Sequence, residues 1–475
     1  MTISRREALG GLATAGVVGV AACSGASPPA DGGAAPPTGQ QESGPPLAAW
    51  PEPHNSLLLN YDRAMNVMEE AGVDLILCAD PVNVYYLTNA RPISAKLGMD
   101  NLFYASLAGR GRGKPTLIHG GISRYFSTGP TEEAGLIEHK YLALPADREA
   151  FEQLTDPREI ANAPALPVYV PRAHDDYPDS ELVERRLKAA FGGREALYAG
   201  IEAAILSELF DTDLPNKTVA IDHPILRQFI AKSGLDLRIV DGERLLRRVR
   251  LQKSPAEIKM MRYAAAGNAR AAHLAAKSIR DGASFQEIRR EFGKQCGINS
   301  MTAQYMMIDS LVPNMTPGKV EEGRSFLIDC VSDFEGYHGD YGRTVCVGEP
   351  NGRMGKIIGS LSRIWDRLMP ELKAGLTYGE LYALSSRVIS DENLGANLAI
   401  NPHNVGLHHS DEPSAQEFGY FQKEDIVLQE NMVLSVDFPF LDTGLGGSAH
   451  LEDLVLIGKD GPELLNQSDD RFILV

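Results

Sequence analysis

The stretch that decides the fold of this chain runs Ile328-Asp329-Cys330-Val331-Ser332-Asp333-Phe334-Glu335-Gly336-Tyr337-His338-Gly339-Asp340-Tyr341-Gly342-Arg343-Thr344. Asp329 closes an apolar run and Asp340 precedes a second one, with a glycine-containing turn between them. This pattern predicts two antiparallel strands that bring both carboxylates to one point. Because like charges held together inside a protein have to be neutralised, a divalent metal ion is the simplest interpretation.

Further acids and imidazoles lie downstream, where a metal site could use them. His403, His408 and His409 fall within seven residues of one another. Asp437 follows an apolar strand pattern, and Glu452 lies in another. Each of these residues alone is also typical of an ordinary loop or strand end. Four acids and a histidine in this order, however, predict a site for hard divalent cations.

The N-terminal residues indicate an export signal. Ser4-Arg5-Arg6 is a twin-arginine pair, and a Gly/Ala/Val-rich run from Ala8 to Ala22 follows it. That run is too short and too weakly apolar for a membrane span. Val20-Ala21-Ala22-Cys23 resembles a bacterial lipobox, so we expect residues 1–23 to be a lipoprotein signal peptide with Cys23 lipidated. This predicts a protein on the periplasmic side of the cell envelope that contacts the membrane only through its lipid; a plain signal peptide with a chance cysteine is the weaker alternative.

Composition and charge set limits on the rest of the chain. Residues 24–54 are rich in Pro, Gly, Ala and Ser and are expected to form a flexible tether. The remaining residues of this 475-residue chain suffice for two domains, which we place at 55–245 and 246–475. A net charge of −17 argues against nucleic acid as a partner.

The cysteines show no CxxC spacing, which argues against a zinc–thiolate site. Cys330 and Cys346 lie in the two adjacent predicted strands, so a cross-strand disulfide is one interpretation. Two buried thiols are the preferred one.

Helical and strand patterns alternate between residues 55 and 245, which predicts an α/β domain. A helix is expected at 62–70, a buried strand at 73–78, and two further strands at 218–222 and 237–241. Ser254, Pro255 and Glu257 then form a strong helix start. The elements expected after this start are helices at about 254–279, 285–296, 355–373 and 378–392, and strands at 432–436 and 451–457. We therefore predict an α+β domain with an antiparallel sheet at its core.

Three motifs resemble those of one enzyme superfamily. They are Asp340-Tyr341-Gly342-Arg343-Thr344, His403-Asn404-Val405-Gly406-Leu407 and Leu451-Glu452-Asp453. Through them, residues 244–475 resemble the catalytic domain of the creatinase, prolidase and Xaa-Pro aminopeptidase superfamily, which has the pita-bread fold. Residues 56–90 resemble the N-terminal domain of that superfamily, through the helix from Asp62 and a loop and strand at 79–89. Residues 100–215 carry no clear resemblance.

The resemblance implies a homodimeric hydrolase with two divalent metal ions, which are manganese, iron(II) or zinc, with manganese favoured. The substrate class it implies is a small peptide or small-molecule amide, cut at an Xaa-Pro or related bond. The residues that match the family's metal ligands are Asp329, Asp340, His403, Asp437 and Glu452. The residues that match its catalytic positions are His403, His409 and Asp437.

Three positions depart from the family pattern. Gly342 stands where Thr or Ser is usual, and Asp437-Phe438-Pro439 replaces a Glu-Pro-Gly sequence. The segment 307–314 ends in Asn314 and lacks the histidine of proline-specific peptidases. These departures leave open a second function on the same fold and metal site, a lyase or amidinohydrolase of a small molecule. A non-catalytic binding protein is the least favoured alternative, because clustered carboxylates are destabilising without a cation.

Overall fold

The computed structural model describes residues 44–51, 56–99, 102–109, 113–120, 135–166, 197–309, 312, 315–394, 398–417 and 420–475. The signal peptide expected at 1–23, including Cys23, lies outside these residues, as does the tether as far as residue 43. Within the described ranges, we find no helix with the length and apolar character needed to cross a bilayer.

The N-terminal half is built on a seven-stranded mixed sheet with strand order β5-β4-β3-β2-β1-β6-β7. Its strands are β1 Leu75–Cys78, β2 Phe103–Ala108, β3 Thr116–Gly120, β4 Glu138–Ala143, β5 Leu197–Ala199, β6 Thr218–Ile221 and β7 Arg238–Asp241. Its helices are α1 Tyr61–Ala71, α2 Pro81–Thr88, α3 Arg148–Gln153, α4 Pro157–Ala161, α5 Ile201–Asp211 and α6 Pro224–Lys232, with a 3-10 turn at Ile93–Leu97. The α/β class predicted for this half is confirmed.

The segment 79–89 was expected to be a loop and strand, and this expectation is wrong, because its centre is helix α2. Asp80 caps the helix, its Oδ1 accepting a hydrogen bond from the Val82 N–H at 2.9 Å, and Pro81 occupies the first turn. The helix ends at Asn89, which adopts a φ of 58°. An Asp-Pro start signal therefore outweighs the strand preference of the valine and tyrosine residues that follow.

The C-terminal half is built on an eight-stranded, largely antiparallel sheet. Six strands follow the order β11-β14-β15-β10-β9-β8, while β16 pairs with β15 and β17 pairs with β10. The strands are β8 Thr302–Ile308, β9 Ser325–Phe334, β10 Tyr337–Cys346, β11 His403–Asn404, β14 Val433–Phe440, β15 Ala449–Gly458, β16 Gly461–Leu464 and β17 Phe472–Leu474, with a separate hairpin of β12 Ser414–Glu417 and β13 Tyr420–Lys423. The helices are α7 Gly242–Arg250, α8 Pro255–Lys277, α9 Phe285–Ile298, α10 Gly352–Leu368 and α11 Tyr378–Glu392, with a 3-10 turn at Met369–Glu371. This confirms the predicted α+β class with an antiparallel sheet at its core.

A two-residue turn sets the register of the β9–β10 hairpin. Glu335 and Gly336 connect the strands with φ values of 50° and 84°. Positive φ at both turn residues is the geometry whose twist matches that of the flanking strands. With Phe334 opposite Tyr337, Asp329 lies opposite Gly342. The turn residues themselves therefore set the pairing of β9 with β10 that brings Asp329 and Asp340 to one face.

Helix α8 packs on one face of this hairpin. A Cβ atom at Gly339 would lie 2.4 Å from the carbonyl oxygen of Ala264 in α8, so only glycine allows this close approach. Asn268 of α8 donates from Nδ2 to the Cys330 carbonyl at 2.7 Å and accepts from Ser332 Oγ at 2.6 Å. Because side chains alternate along a strand, Asp340 and Gly342 lie on the opposite face from Gly339 and α8.

The four described cysteines are buried free thiols, as preferred from the sequence. Cys330 lies opposite Tyr341 in the hairpin, whereas Cys346 lies opposite Ser325. The two thiols are therefore not cross-strand partners.

Residues 44–51, the part of the expected tether that the structure describes, lie against α8. Arg270 donates from Nη1 to the carbonyl oxygens of Gly44 and Pro45, at 3.1 and 3.0 Å. The Trp50 ring packs edge-on against Tyr263 of α8 and Phe334 of β9, with centroids 5.1 and 5.2 Å apart. A flexible tether stays a prediction for residues 24–43.

Helix α7 connects the two halves, and the domain boundary expected between residues 245 and 246 falls inside it. Arg250 at its end is fully buried and donates from Nε to Asp411 Oδ1 at 3.0 Å. The same guanidinium bonds to the amide oxygen of Asn83 in α2. One buried cation therefore links the N-terminal half to the segment that carries His408 and His409.

We expect Asp411→Ala to lower the free energy of unfolding by about 3–5 kcal/mol, because it removes the buried carboxylate partner of Arg250 and leaves only the partly exposed Glu243. The matched control is Glu463→Ala, which removes the partner of Arg262 in a half-exposed ion pair and should change the stability by about 0–1 kcal/mol. Urea unfolding followed by circular dichroism measures both. Equal losses in the two variants would contradict the assigned role of the buried pair.

Candidate metal centre

Four neighbouring strands place the predicted acids in one row across the sheet. Asp437 of β14 lies opposite Glu452 of β15, which lies opposite Gly342 of β10, and Gly342 lies opposite Asp329 of β9. Asp340 precedes Gly342 by two residues and so shares its face. The sheet itself, and not a set of loops, thus brings together all four acids expected from the sequence.

The histidine segment joins this row through strand β11, in which His403 lies opposite Ser435 of β14. His403 Nε2 lies 3.6 Å from Asp340 Oδ2, and His409 Nε2 lies 3.0 Å from the same oxygen. His403 Nδ1 lies 3.0 Å from the main-chain carbonyl oxygen of His409. The ligand atoms of Asp340, His403 and His409 all lie within 4.8 Å of one another, close enough to share an ion.

A second ligand cluster contains a histidine that sequence analysis missed. The ligand atoms of Asp329, His450 and Glu452 also lie within 4.8 Å of one another. His450 precedes Glu452 by two residues on the same face of β15, which is the only signal in the sequence that could have suggested it. Its Nε2 lies 2.7 Å from Asp437 Oδ1 and 3.6 Å from Glu452 Oε2.

The buried oxygens of the two clusters fit a bound cation. Within the described residues, Asp329 Oδ1, Asp340 Oδ1 and Glu452 Oε2 are buried and have no hydrogen-bond partner. Unsatisfied buried acceptors are rare, and buried like charges are destabilising unless a cation compensates them. Carboxylate and imidazole donors together suit first-row divalent metals. The two clusters therefore fit divalent metal ions.

Burial and mutual repulsion hold protons on part of this acidic cluster when no cation is present. Burial, and then the charge of Asp340, raise the pKa of Asp329 to about 7 and also raise the pKa of Glu452. For Asp340 burial acts in the same upward direction, but the adjacent His409 outweighs it and lowers the pKa to about 2. Burial and repulsion therefore favour the protonated forms of Asp329 and Glu452, whereas His409 keeps Asp340 ionised.

His409 is a proton donor to Asp340. Burial opposes its charged form, but the Asp340 carboxylate raises the pKa of His409 to about 9. Its Nε2–H therefore donates to Asp340 Oδ2 near neutral pH. By contrast, burial lowers the pKa of His403, which favours the neutral imidazole that a metal ligand needs.

Tyr305 of β8 is a further residue of the site that sequence analysis missed. Its ring lies 6.1 Å from that of His409, and burial, followed by the charges of Asp329 and Asp340, raises the pKa of its hydroxyl. Tyr305 lies opposite Val331 of β9. Because 16 residues, 309–324, connect β8 to β9, the register of this strand pair could not be predicted from the sequence. Asn314 ends the segment that lacks the histidine of proline-specific peptidases, and it lies outside the described residues.

Part of the chain is similar to known enzymes. Residues 259–459 match the model of metallopeptidase family M24. The Xaa-Pro dipeptidase of Pyrococcus horikoshii is 24% identical over 241 residues, which are 48% of this chain and 66% of that enzyme. The Xaa-Pro dipeptidase of Pyrococcus furiosus is 22% identical over 314 residues, which are 63% of this chain and 87% of that enzyme.

Solved structures show the same fold. The prolidase of Pyrococcus furiosus superposes with a TM-score of 0.56 at 19% identity and covers 86% of this chain and 100% of its own. The Xaa-Pro dipeptidase of Bacillus anthracis superposes with a TM-score of 0.58 at 17% identity and covers 87% of this chain and 98% of its own. The protein thus has the pita-bread fold of these solved structures, and its match to metallopeptidase family M24 over residues 259–459, together with the Xaa-Pro dipeptidase relatives, supports a metallopeptidase-type hydrolase.

Proposed function

We propose that this protein is a two-metal-ion aminopeptidase or dipeptidase that hydrolyses Xaa-Pro or related small amide bonds. The observation that carries the proposal is the pair of ligand clusters, one around Asp340 and one around Glu452, on one face of the sheet. The names of the matched relatives, Xaa-Pro dipeptidases, support the substrate class. The residues proposed to hold the ions are Asp329, Asp340, His403, Asp437 and Glu452.

Two ions bound here would polarise the substrate carbonyl and lower the pKa of an attacking water. Asp340 with His403 would hold one ion and Glu452 with Asp329 the other, because each of these pairs lies within one ligand cluster. Manganese stays the ion expected from the sequence, with iron(II) and zinc as alternatives.

The surrounding residues of the chain supply protons and hydrogen bonds. His409 keeps a proton on Nε2, 3.0 Å from Asp340 Oδ2, and its side chain is about one-third exposed. It is therefore placed to pass a proton between the site and solvent. Tyr305 keeps its hydroxyl proton because its pKa is raised, and it offers a donor to charge that develops on a carbonyl oxygen.

One observation favours the second candidate function, a lyase or amidinohydrolase with the same fold and metal site. Both oxygens of Asp437 are engaged, Oδ1 by His450 Nε2 at 2.7 Å and Oδ2 by Asn401 Nδ2 at 3.2 Å. A carboxylate held at both oxygens is poorly suited to shuttle a proton to a leaving amine. Asp437 would therefore only hold the ion. A peptidase reaction at this site would have to take the proton for the leaving amine from His409.

We also propose export by the twin-arginine route, lipid anchoring through Cys23 on the periplasmic side of the cell envelope, and a homodimer. The sequence motifs support the first two proposals, and family resemblance supports the third. Residues 24–43 would separate the anchor from the first described residue, Gly44. A flexible chain of this length has a root-mean-square span of about 25 Å.

We predict that Asp340→Ala abolishes metal binding and lowers turnover by ~1,000-fold, the upper end for loss of one electrostatic catalytic group. Metal analysis and an Ala-Pro hydrolysis assay after reconstitution with manganese, iron(II) or zinc test this. Asp460→Ala, which removes an exposed carboxylate at the β15–β16 turn, is the matched control and should change neither value. Full metal content in Asp340→Ala would refute the site.

A substrate panel separates the two candidate functions. We expect the metal-loaded protein to release the N-terminal residue from Ala-Pro and from Xaa-Pro peptides. Amine analysis of the products measures this. Two bound ions without cleavage of any peptide would reject the peptidase and leave the lyase or amidinohydrolase, which a mass-spectrometric screen of small amides and amidines then tests.

Metal removal should make stability depend on pH through Asp329. Its pKa is about 7 in the folded, metal-free protein against about 4 in an unfolded chain. Because folding raises this pKa, its contribution to stability is fully present below about pH 4 and is lost as the pH rises to about 7. Thermal unfolding in EDTA between pH 5 and 8 should show this decline, and Asp329→Asn should flatten it. An unchanged slope in Asp329→Asn would contradict the assignment.

A further inference from the structure

His450 lies directly on Gly342. The His450 side chain is 1% exposed, and a Cβ atom at position 342 would lie 2.2 Å from its Cε1 and 2.4 Å from its Nδ1. Every residue other than glycine would force this ring to move. Glycine at position 342, where the family has Thr or Ser, therefore leaves space for a side chain, and the His450 imidazole fills that space.

The second departure, Asp437, meets the same ring. His450 Nε2 lies 2.7 Å from Asp437 Oδ1. A glutamate at position 437 would extend one methylene further and would compete with the imidazole for this space. Gly342, Asp437 and His450 therefore form one arrangement, in which a shortened acid and a missing side chain admit a histidine to the centre of the site.

The ring is oriented as a metal-ligating histidine usually is. His450 Nδ1 lies 3.4 Å from the Ile328 carbonyl oxygen, to which it can donate its proton. Nε2 then faces the acids, 2.7 Å from Asp437 Oδ1, and an ion bound there would take the place of the proton that Nε2 shares with Asp437. His403 shows the same arrangement, with Nδ1 3.0 Å from the His409 carbonyl oxygen and Nε2 facing Asp340. Donation of the second ring nitrogen to a main-chain carbonyl is a recurrent way of fixing such ligands.

We propose that His450 Nε2 is a direct ligand of the ion held by Asp329 and Glu452. This rests on the metal site of the proposed function and adds a second imidazole to it. The buried Asp329 Oδ1 and Glu452 Oε2, which have no hydrogen-bond partner among the described residues, supply the other donors of this position. Each ion then has at least one nitrogen ligand, His403 on one side and His450 on the other.

The proposal changes the expected metal. Manganese prefers carboxylate, carbonyl and water ligands, whereas imidazole suits zinc and iron. A centre with an imidazole on each ion should therefore select zinc or iron(II) over manganese more strongly than a centre with only His403. Competition between zinc and manganese at equilibrium measures this preference without reference to any catalysed reaction.

The decisive experiment is zinc K-edge X-ray absorption on the zinc-loaded protein, combined with zinc content after dialysis. In His450→Ala we expect the average number of imidazole ligands per zinc to fall by about one half, since one ring is lost over two ions. The zinc affinity of the position held by Asp329 and Glu452 should also fall by more than about 100-fold. Such a loss exceeds the effect of removing a residue that only contacts a metal ligand. His408→Ala is the matched control, because His408 faces Glu243; it should change neither value.

Gly342→Ala tests the same point without deleting a ligand. The added methyl displaces the His450 ring, so we expect the same loss of imidazole signal and the same weaker zinc position. Circular dichroism confirms that each variant is folded. An unchanged imidazole number in both folded variants, even with weaker zinc binding, would show that His450 only orients Asp437 and would overturn the proposal. Wild-type protein that binds no zinc, iron or manganese would refute the metal site itself, so the two failures are distinguishable.

Discussion

The register of the β9–β10 hairpin is the constraint on which the rest of the site depends. The Glu335–Gly336 turn holds Asp329 opposite Gly342 and keeps Asp340 on the same face. A slip of one residue would turn every side chain to the other face and would press Asp340 against helix α8. Close packing of α8 on Gly339 opposes such a slip, because that position has no room for a side chain. Turn geometry and helix packing thus enforce the same alignment.

This alignment brings several acidic side chains together in the protein interior. By itself, such an arrangement lowers the stability of the fold. Three buried carboxylate oxygens without hydrogen-bond partners in the described part of the chain are unfavourable unless a cation is present. The surrounding scaffold compensates with strong buried contacts of its own, such as Arg343 with both oxygens of Asp453 at 2.8 Å and Arg250 with Asp411. The scaffold therefore holds these carboxylates in a geometry that favours binding of a cation.

The sequence predicted most of the fold and the acidic part of the site, because strand-end acids and their alternation can be read locally. It could not predict residues whose position depends on pairing between distant strands. Tyr305 reaches the site through the β8–β9 register, and His450 through the space above Gly342. The helix at 81–88 was missed because its strand-like residues hid the Asp80-Pro81 start. In each case contacts between distant segments, or a short capping signal, outweighed local preference.

The path of residues 44–51 bears on how the molecule would face a bilayer. These residues lie on α8, and α8 covers the face of the sheet opposite Asp340. If Cys23 carries the proposed lipid, the tether would join the described residues on the face of the sheet opposite the acidic site. The attachment would then not cover that site, which would stay open to molecules that diffuse through the aqueous compartment. Such an attachment would restrict where the enzyme resides while leaving its access to dissolved substrates almost unchanged.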